Sequence, residues 1–189
     1  MREKRLTGSE RWRESEWQTL LALTLPALND LSSDCCWSLG GGTALSLSLD
    51  HRVSFDIDIF FENSAALRLL HPNYNETVKR ISDNFQYPGH RIRLERKEGE
   101  IDFLVASYMT ENPVFLYDFR GNLIPVETPR EIIAKKLHYR GSSLTVRDAF
   151  DLQAVCQYDY DAFREGVSCV PEGTRRAVDR IQRVLAKRY

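Results

Sequence analysis

The chain has 189 residues, with 26 Lys and Arg against 27 Asp and Glu, a formal charge of −1. That balance excludes a uniformly basic coat protein for nucleic acid, while leaving room for a local basic patch. With 42% hydrophobic and 28% charged residues, the composition is that of a folded soluble chain, long enough for one domain or one domain with a helical appendage. No stretch approaches the roughly 18 consecutive apolar residues of a membrane span. The N-terminal MREKRLTGSERWRESEW carries charge with no apolar core behind it, unlike a secretory leader. Cys35, Cys36, Cys156 and Cys169 show no CxxC spacing, so the expectation is a cytoplasmic protein with buried free thiols.

In chain order, Trp17, Leu20, Leu21, Thr24, Leu28 and Leu31 mark one face of a helix over Glu14 to Leu31, which Pro26 should kink or split. Cys36 to Leu39 reads as a short strand ending in Gly40-Gly41-Gly42, and Thr43 to Leu49 as a short helix. Ser54 to Phe61 alternates as a strand, with Phe55, Ile57, Ile59 and Phe61 on one face and Ser54, Asp56, Asp58 and Phe60 on the other. Ala65 to Phe85 is helical in tendency, broken near His71-Pro72. Strands follow over Arg91–Glu98 and Glu100–Ser107 around Gly99, then a hairpin of Val114–Phe119 and Leu123–Val126 turning at Arg120-Gly121-Asn122. Thr128-Pro129-Arg130-Glu131 reads as a capping box opening a helix to His138. Thr145–Gln157 and Pro171–Lys187 are two more helices. The fold class is therefore α+β: a mixed β-sheet with flanking helices over 1–127, then a helical C-terminal region, 128–189, packed on that core. Trp12, Trp17 and Trp37 read as packing residues.

The strongest chemical feature is the pair Asp56 and Asp58. Two acids on one strand face, with a core behind the other face, repel each other and resist burial. A divalent cation resolves that conflict, and hard oxygen ligands suit Mg²⁺ or Mn²⁺. Solvated acids on an exposed strand face are the alternative. Gly41-Gly42-Thr43 ends one strand and opens a helix, a place where backbone N–H groups receive an anion, or simply a turn capped by Thr43. A third acid, Asp102, completes a carboxylate triad if its strand lies beside the first. It would then serve as metal ligand or as the base nearest the attacking hydroxyl. Otherwise it is a partner for Arg91, Arg93 or Arg96 on the adjacent strand.

Leu39 to Phe61, LGGGTALSLSLDHRVSFDIDIFF, resembles the motif of the AbiEii-type nucleotidyltransferase toxins, in the DNA polymerase β-like superfamily. The matching residues are Gly41, Gly42, Thr43, Ala44, Leu45, His51, Arg52, Ser54, Asp56, Asp58 and Phe60. Glu131 to Leu137 resembles the family's lysine-bearing helix, with Lys136 the better match and Lys135 the alternative; Arg147 to Leu152 resembles its R-D-x-x-D-L helix. The resemblance implies a nucleotidyltransferase-like fold and transfer of a nucleoside monophosphate from an NTP to an acceptor, RNA and tRNA foremost. It also implies Mg²⁺ or Mn²⁺ as cofactor and a toxin paired with an antitoxin encoded nearby.

Carried over by position, Gly41, Gly42, Thr43 and Ser54 would bind nucleotide, and Asp56, Asp58 and Asp102 the metal. Lys136 would reach the β- or γ-phosphate, and Asp148 and Asp151 would support the site. Arg147 and Asp151, four residues apart, read instead as a helix-surface ion pair, and Asp148 also reads as the acid of a helix start. His51 and Arg52 either order the loop before Asp56 or touch substrate. Asp50 departs from the family pattern by placing an acid beside them, which would weaken anion binding there. Arg176, Arg180, Arg183 and Lys187 form a basic stripe beside apolar Ala177, Ile181, Val184 and Leu185. It reads as the solvated side of a terminal helix, with phosphate contact to RNA as the alternative. A nucleotidylated protein or small molecule, or a nucleotide-binding module without catalysis, remain the other functions open to such a fold.

Overall fold

A computed structural model describes residues 15–32 and 35–186. Its elements are α1 (Trp17–Asn29), β1 (Trp37–Gly40), α2 (Gly41–Leu49), β2 (Ile57–Phe61), α3 (Ala65–Leu69), α4 (Glu76–Ile81), β3 (Phe85–Gln86) and β4 (Arg91–Glu95). Then come β5 (Glu100–Val105), β6 (Val114–Phe119), β7 (Asn122–Glu127), α5 (Pro129–Arg140), α6 (Val146–Tyr158), α7 (Tyr160–Ser168) and α8 (Pro171–Ala186), with a 3₁₀ turn at Gly141–Ser143. The strands form one mixed sheet in the order β3-β4-β5-β2-β1-β7-β6. Parallel pairing joins β2 to β5 and β1 to β7; the other neighbours are antiparallel. The expected α+β architecture is thus the observed one.

The alternation read in the sequence sets the core. Ile57, Ile59 and Phe61 of β2 are buried, with Ile101 and Phe103 of β5 and Ile92 and Leu94 of β4 beside them, and Leu20, Leu21 and Leu28 of α1 in the same core. Each such side chain withdrawn from water contributes roughly 1.5–3 kcal/mol. Trp17 and Trp37 pack against this core as expected, whereas Trp12 lies outside the described residues.

Several boundaries differ from expectation, each for a local reason. Strand β2 begins at Ile57, because the carbonyls of Ser54 and Asp56 accept hydrogen bonds from the Ser15 and Thr43 hydroxyls instead of joining the ladder. Helix α1 continues through Pro26 as one element. Phe85 leaves the helical stretch to pair with Leu94 at the sheet edge. The capping box at Thr128 does not form: its hydroxyl caps nothing, and Glu131 instead accepts the backbone N–H groups of Met109 and Thr110. The capping box at Thr145 and Asp148 does form. Helix α7 was not anticipated, although the Asp159 side chain at its start accepts from Ala162 N–H, a cap legible in Asp159-Tyr160-Asp161-Ala162. Of the cysteines only Cys35 is buried, Cys36 and Cys169 being exposed, so the expectation of buried thiols holds for one.

The four helices from Pro129 onward pack on one another. A side-chain carbon at Gly173 would lie 2.5 Å from the carbonyl oxygen of Leu137, so α8 meets α5 backbone against backbone. Beyond Ala177, which is buried, the apolar residues Ile181, Val184 and Leu185 of α8 are exposed rather than seated. Lys187 lies outside the described residues. No helix among those residues is long and apolar enough to cross a membrane.

Candidate active site

A single register row places the acids. Gly40 of β1 stands opposite Asp58 of β2, Asp58 opposite Asp102 of β5, and Asp102 opposite Arg93 of β4. Neighbouring strands are about 4.8 Å apart, so the two carboxylates are adjacent on one face. Asp56 sits at the threshold of β2, where its Oδ1 accepts the Glu100 N–H at 3.0 Å. All three acids line an open cleft of about 640 Å³. Strand pairing therefore brings Asp102 to the Asp56/Asp58 pair as the sequence suggested.

The carboxylates are not alike. Asp102 is nearly buried and accepts a fork from Arg93, Nε at 2.9 Å and the second nitrogen at 2.6 Å, so the alternative reading of Asp102 as an arginine partner is realised too. Asp58 accepts no hydrogen bond among the described residues. Burial pushes its carboxyl up to about 6, the charges of Asp102 and Asp56 push the same way, and Lys136 and Arg140 pull back. A carboxylate without a hydrogen-bond donor, beside two others, suits a hard cation. Asp56 and Asp58 fit a divalent metal on this ground; Asp102 fits only once Arg93 loosens. Among the described residues, no three His, Cys, Asp or Glu groups are already gathered as a metal cage.

The glycine turn lies directly against the acids. Gly41 has φ +64° and no room for a side chain, because a Cβ there would strike the Asp58 carboxylate. A Cβ on Gly42 would strike the Arg52 guanidinium and come within 3.2 Å of the Ser54 hydroxyl. Gly41, Gly42, Ser54 and Arg52 all line the cleft; Thr43 is buried, its hydroxyl donating to the Asp56 carbonyl and fixing the helix start to the acid. Asp50 caps α2 in a left-handed backbone and is not among the residues lining the cleft.

The opposite wall comes from α5 and α6. Lys136 Nζ bridges Asp148 at 2.7 Å and Asp151 at 3.1 Å. Asp151 also takes His51 Nε2 at 2.8 Å and the Arg52 fork at 2.6 and 3.1 Å. Burial pushes Asp151 up, but the hydrogen bond from Arg52, the Lys136 charge and the His51 contact bring it down to about 2. Asp148 is likewise pushed up by burial and carried well below the usual carboxylate range by Lys136 and Thr145. The expected surface pair of Arg147 with Asp151 does not exist. Asp151 is buried in this network, and Arg147 is exposed at the cleft with no ion-pair partner among the described residues. His51 and Arg52 order the loop, and Arg52 also faces the cleft.

Lys135 and Lys136 are separated by what they touch. Lys135 is buried, 2.6 Å from Glu127 and 3.6 Å from Glu131, its ammonium 4.4 Å from the centre of the Phe60 ring. Glu127 also accepts from Ser38 at 2.9 Å, and its carboxyl is pushed up by burial, with Lys135 and Ser38 pulling back. Glu127 and the cleft arginine Arg140 were not singled out from sequence, Arg91 was named only as a candidate partner of Asp102, and Lys135 only as the alternative to Lys136. A signal was present in Lys135-Lys136 itself: adjacent helix positions face different ways, so two lysines there serve two surroundings.

Comparisons with known proteins bear on the fold and the family. The solution structure of the antibiotic-resistance factor ANT(2″)-Ia is similar, with a TM-score of 0.58 at 14% identity, covering 91% of this chain and 95% of that one. JHP933 from Helicobacter pylori has a TM-score of 0.53 at 17% identity, covering 92% of this chain and 81% of that one. The lincosamide antibiotic adenylyltransferase LnuA, in its lincomycin-bound structure, has a TM-score of 0.50 at 17% identity, covering 75% and 96%. At these identities the likeness is one of fold. No curated protein matches the chain. The family model of the nucleotidyl transferase AbiEii toxin, type IV TA system, matches residues 24–176. With a nucleotidyltransferase-like fold, paired acids beside a glycine turn and a family match over most of its length, the chain belongs to the AbiEii nucleotidyl transferase toxin family.

Proposed function

We propose that the protein transfers a nucleoside monophosphate from an NTP to a hydroxyl group of an RNA acceptor, tRNA foremost, and acts as the toxin of a toxin–antitoxin or phage-defence pair. The observation that carries this reading is the juxtaposition of Asp56, Asp58 and Asp102 with the Gly41-Gly42 turn, in one cleft whose rim holds His90, Arg91, Arg140 and Arg147. Family membership supports nucleotidyl transfer; the basic rim supports an acceptor with phosphates.

In this reading the α/β part up to residue 127 holds metal and nucleotide, and the helical part from 128 supplies the phosphate-binding lysine. Gly41, Gly42 and Thr43, with Ser54, receive the triphosphate on backbone N–H groups and a hydroxyl. Lys136, set by Asp148 and Asp151, meets the β- or γ-phosphate as a point charge. Asp56, Asp58 and Asp102 would hold Mg²⁺ or Mn²⁺, which supplies charge neutralisation on the phosphates and activation of the hydroxyl. Asp102 is the acid nearest the acceptor's side of the row.

Label transfer tests the proposal. Wild-type protein with each α-labelled NTP, Mg²⁺ or Mn²⁺ and total tRNA should give labelled tRNA, and the Asp56→Ala/Asp58→Ala double variant none. Label on a protein or small molecule instead, or NTP binding without transfer, would replace it with one of the other two functions open to the fold.

A further inference from the structure

We propose that Arg93 is a positioning residue that restrains Asp102 until an anionic acceptor draws the guanidinium away. This rests on the nucleotidyl-transfer reading above. Arg93 donates to both oxygens of Asp102, at 2.9 and 2.6 Å, and its third nitrogen holds Glu100 at 2.6 Å. A carboxylate gripped in this bidentate way has both oxygens occupied by charge-assisted hydrogen bonds, so neither is free to meet an incoming hydroxyl. Two positions away on the same face of β4, the buried Nε of Arg91 has no hydrogen-bond partner and stands 3.9 Å from the same carboxylate. An orphaned buried donor is costly unless something supplies an oxygen.

The two arginines together describe the missing group. A phosphate oxygen fits a guanidinium fork as a carboxylate does, and Arg91 offers it a second donor. An acceptor bearing phosphates therefore competes with Asp102 for Arg93, and a neutral or cationic acceptor does not. Across the cleft, Arg140 and Arg147 extend the same preference. Once Asp102 is released, the acceptor hydroxyl gives its proton to that carboxylate. Its oxygen bonds to the α-phosphorus, the bond from that phosphorus to the bridging oxygen breaks, and pyrophosphate leaves. Water, which cannot displace Arg93, is then a poor acceptor, and the NTP is spared idle hydrolysis.

Bulk tRNA is the probe for the test, with wild type, Arg93→Gln and Arg93→Lys compared. Binding of tRNA to Arg93→Gln should weaken about tenfold at low salt, with the log–log salt slope smaller by about one. Arg93→Lys, which keeps the charge that the acid row needs for folding, should keep the slope. In the absence of RNA, both variants should hydrolyse NTP to NMP and pyrophosphate several-fold faster than wild type. A wild-type salt slope in Arg93→Gln, or no rise in hydrolysis in Arg93→Lys, would overturn the proposal. Labelling of tRNA by wild type in the same reactions judges the RNA reading separately. Labelled tRNA with unaltered variants removes only the role of Arg93, whereas absence of tRNA binding by wild type removes both.

Discussion

The Arg52 guanidinium holds both oxygens of Asp151, at 2.6 and 3.1 Å, across 99 residues of sequence. This fork ties the loop that precedes the acid pair to helix α6, and Lys136 and His51 close on the same carboxylate. The network is buried at its centre, where removing one partner strands the charges of the others. Asp151→Ala should therefore cost about 3–5 kcal/mol of folding stability. Arg52→Lys, which loses the fork but keeps a charge, should cost less. Urea denaturation of the three proteins measures both; an Asp151→Ala midpoint equal to wild type would remove the network from the account of stability.

Stability of the metal-free protein should have a maximum in mildly acidic solution. Asp58 titrates at about 6 in the folded chain, above its ordinary value near 4, so its cost is full above pH 6 and vanishes as pH falls toward 4. Asp151, at about 2, and Asp148, also depressed, work the opposite way: their contribution is present above pH 4 and is lost as pH falls through the folded values. The urea midpoint should rise from pH 7 to pH 5 and drop below pH 4. Glu127, pushed up by burial to about 7, adds to that rise, so Asp58→Asn should shrink it without abolishing it and leave the acid drop in place.

Divalent cation should act through the same acid row. Mn²⁺ or Mg²⁺ should raise the melting temperature of wild type and leave the Asp56→Asn/Asp58→Asn variant unmoved, with the shift reversed by chelator. Equal shifts in both proteins would place the cation elsewhere.

Gly41→Ala tests the turn. The substitution meets both a positive φ and the Asp58 carboxylate, so it should displace the acid as well as distort the backbone proposed to receive the triphosphate. NTP affinity and Mn²⁺ affinity should each fall at least tenfold. Loss of nucleotide binding with wild-type Mn²⁺ affinity would show that turn and acid are independent.

The two lysines should separate cleanly. Lys135→Met leaves Glu127 buried without its cation and should destabilise by several kcal/mol, with most of the loss recovered by adding Glu127→Gln. Lys136→Met should cost less stability, because Asp148 keeps Thr145 and Arg140 and Asp151 keeps Arg52 and His51, but should raise the KM for NTP. Equal loss of stability in both would contradict the assignment.

What could be read before folding was what is local. The strand, glycine turn, helix and returning strand lie within Trp37 to Phe61, where alternation and backbone chemistry speak for themselves. Asp102 was legible only conditionally, since its place beside Asp58 depends on β5 pairing with β2 across 44 residues, which no spacing announces. The failures share a cause. Thr128-x-x-Glu131 and Arg147-x-x-x-Asp151 are sound local patterns, but Glu131 met the backbone of Met109 and Thr110, and Asp151 met Arg52 and Lys136. A buried carboxylate takes the strongest donors that the tertiary structure offers, whatever its sequence neighbours propose.

The contact of Gly173 with Leu137 reaches beyond packing. Helix α5 carries both Lys135 and Lys136, and α8 clasps it with no side chain in between. A chain cut before Pro171 loses that clasp while keeping every residue that lines the cleft. Lys136 thus sits one residue from the point where α8 presses on α5, and damage to the C-terminal helix should be felt as slack in that lysine at the cleft.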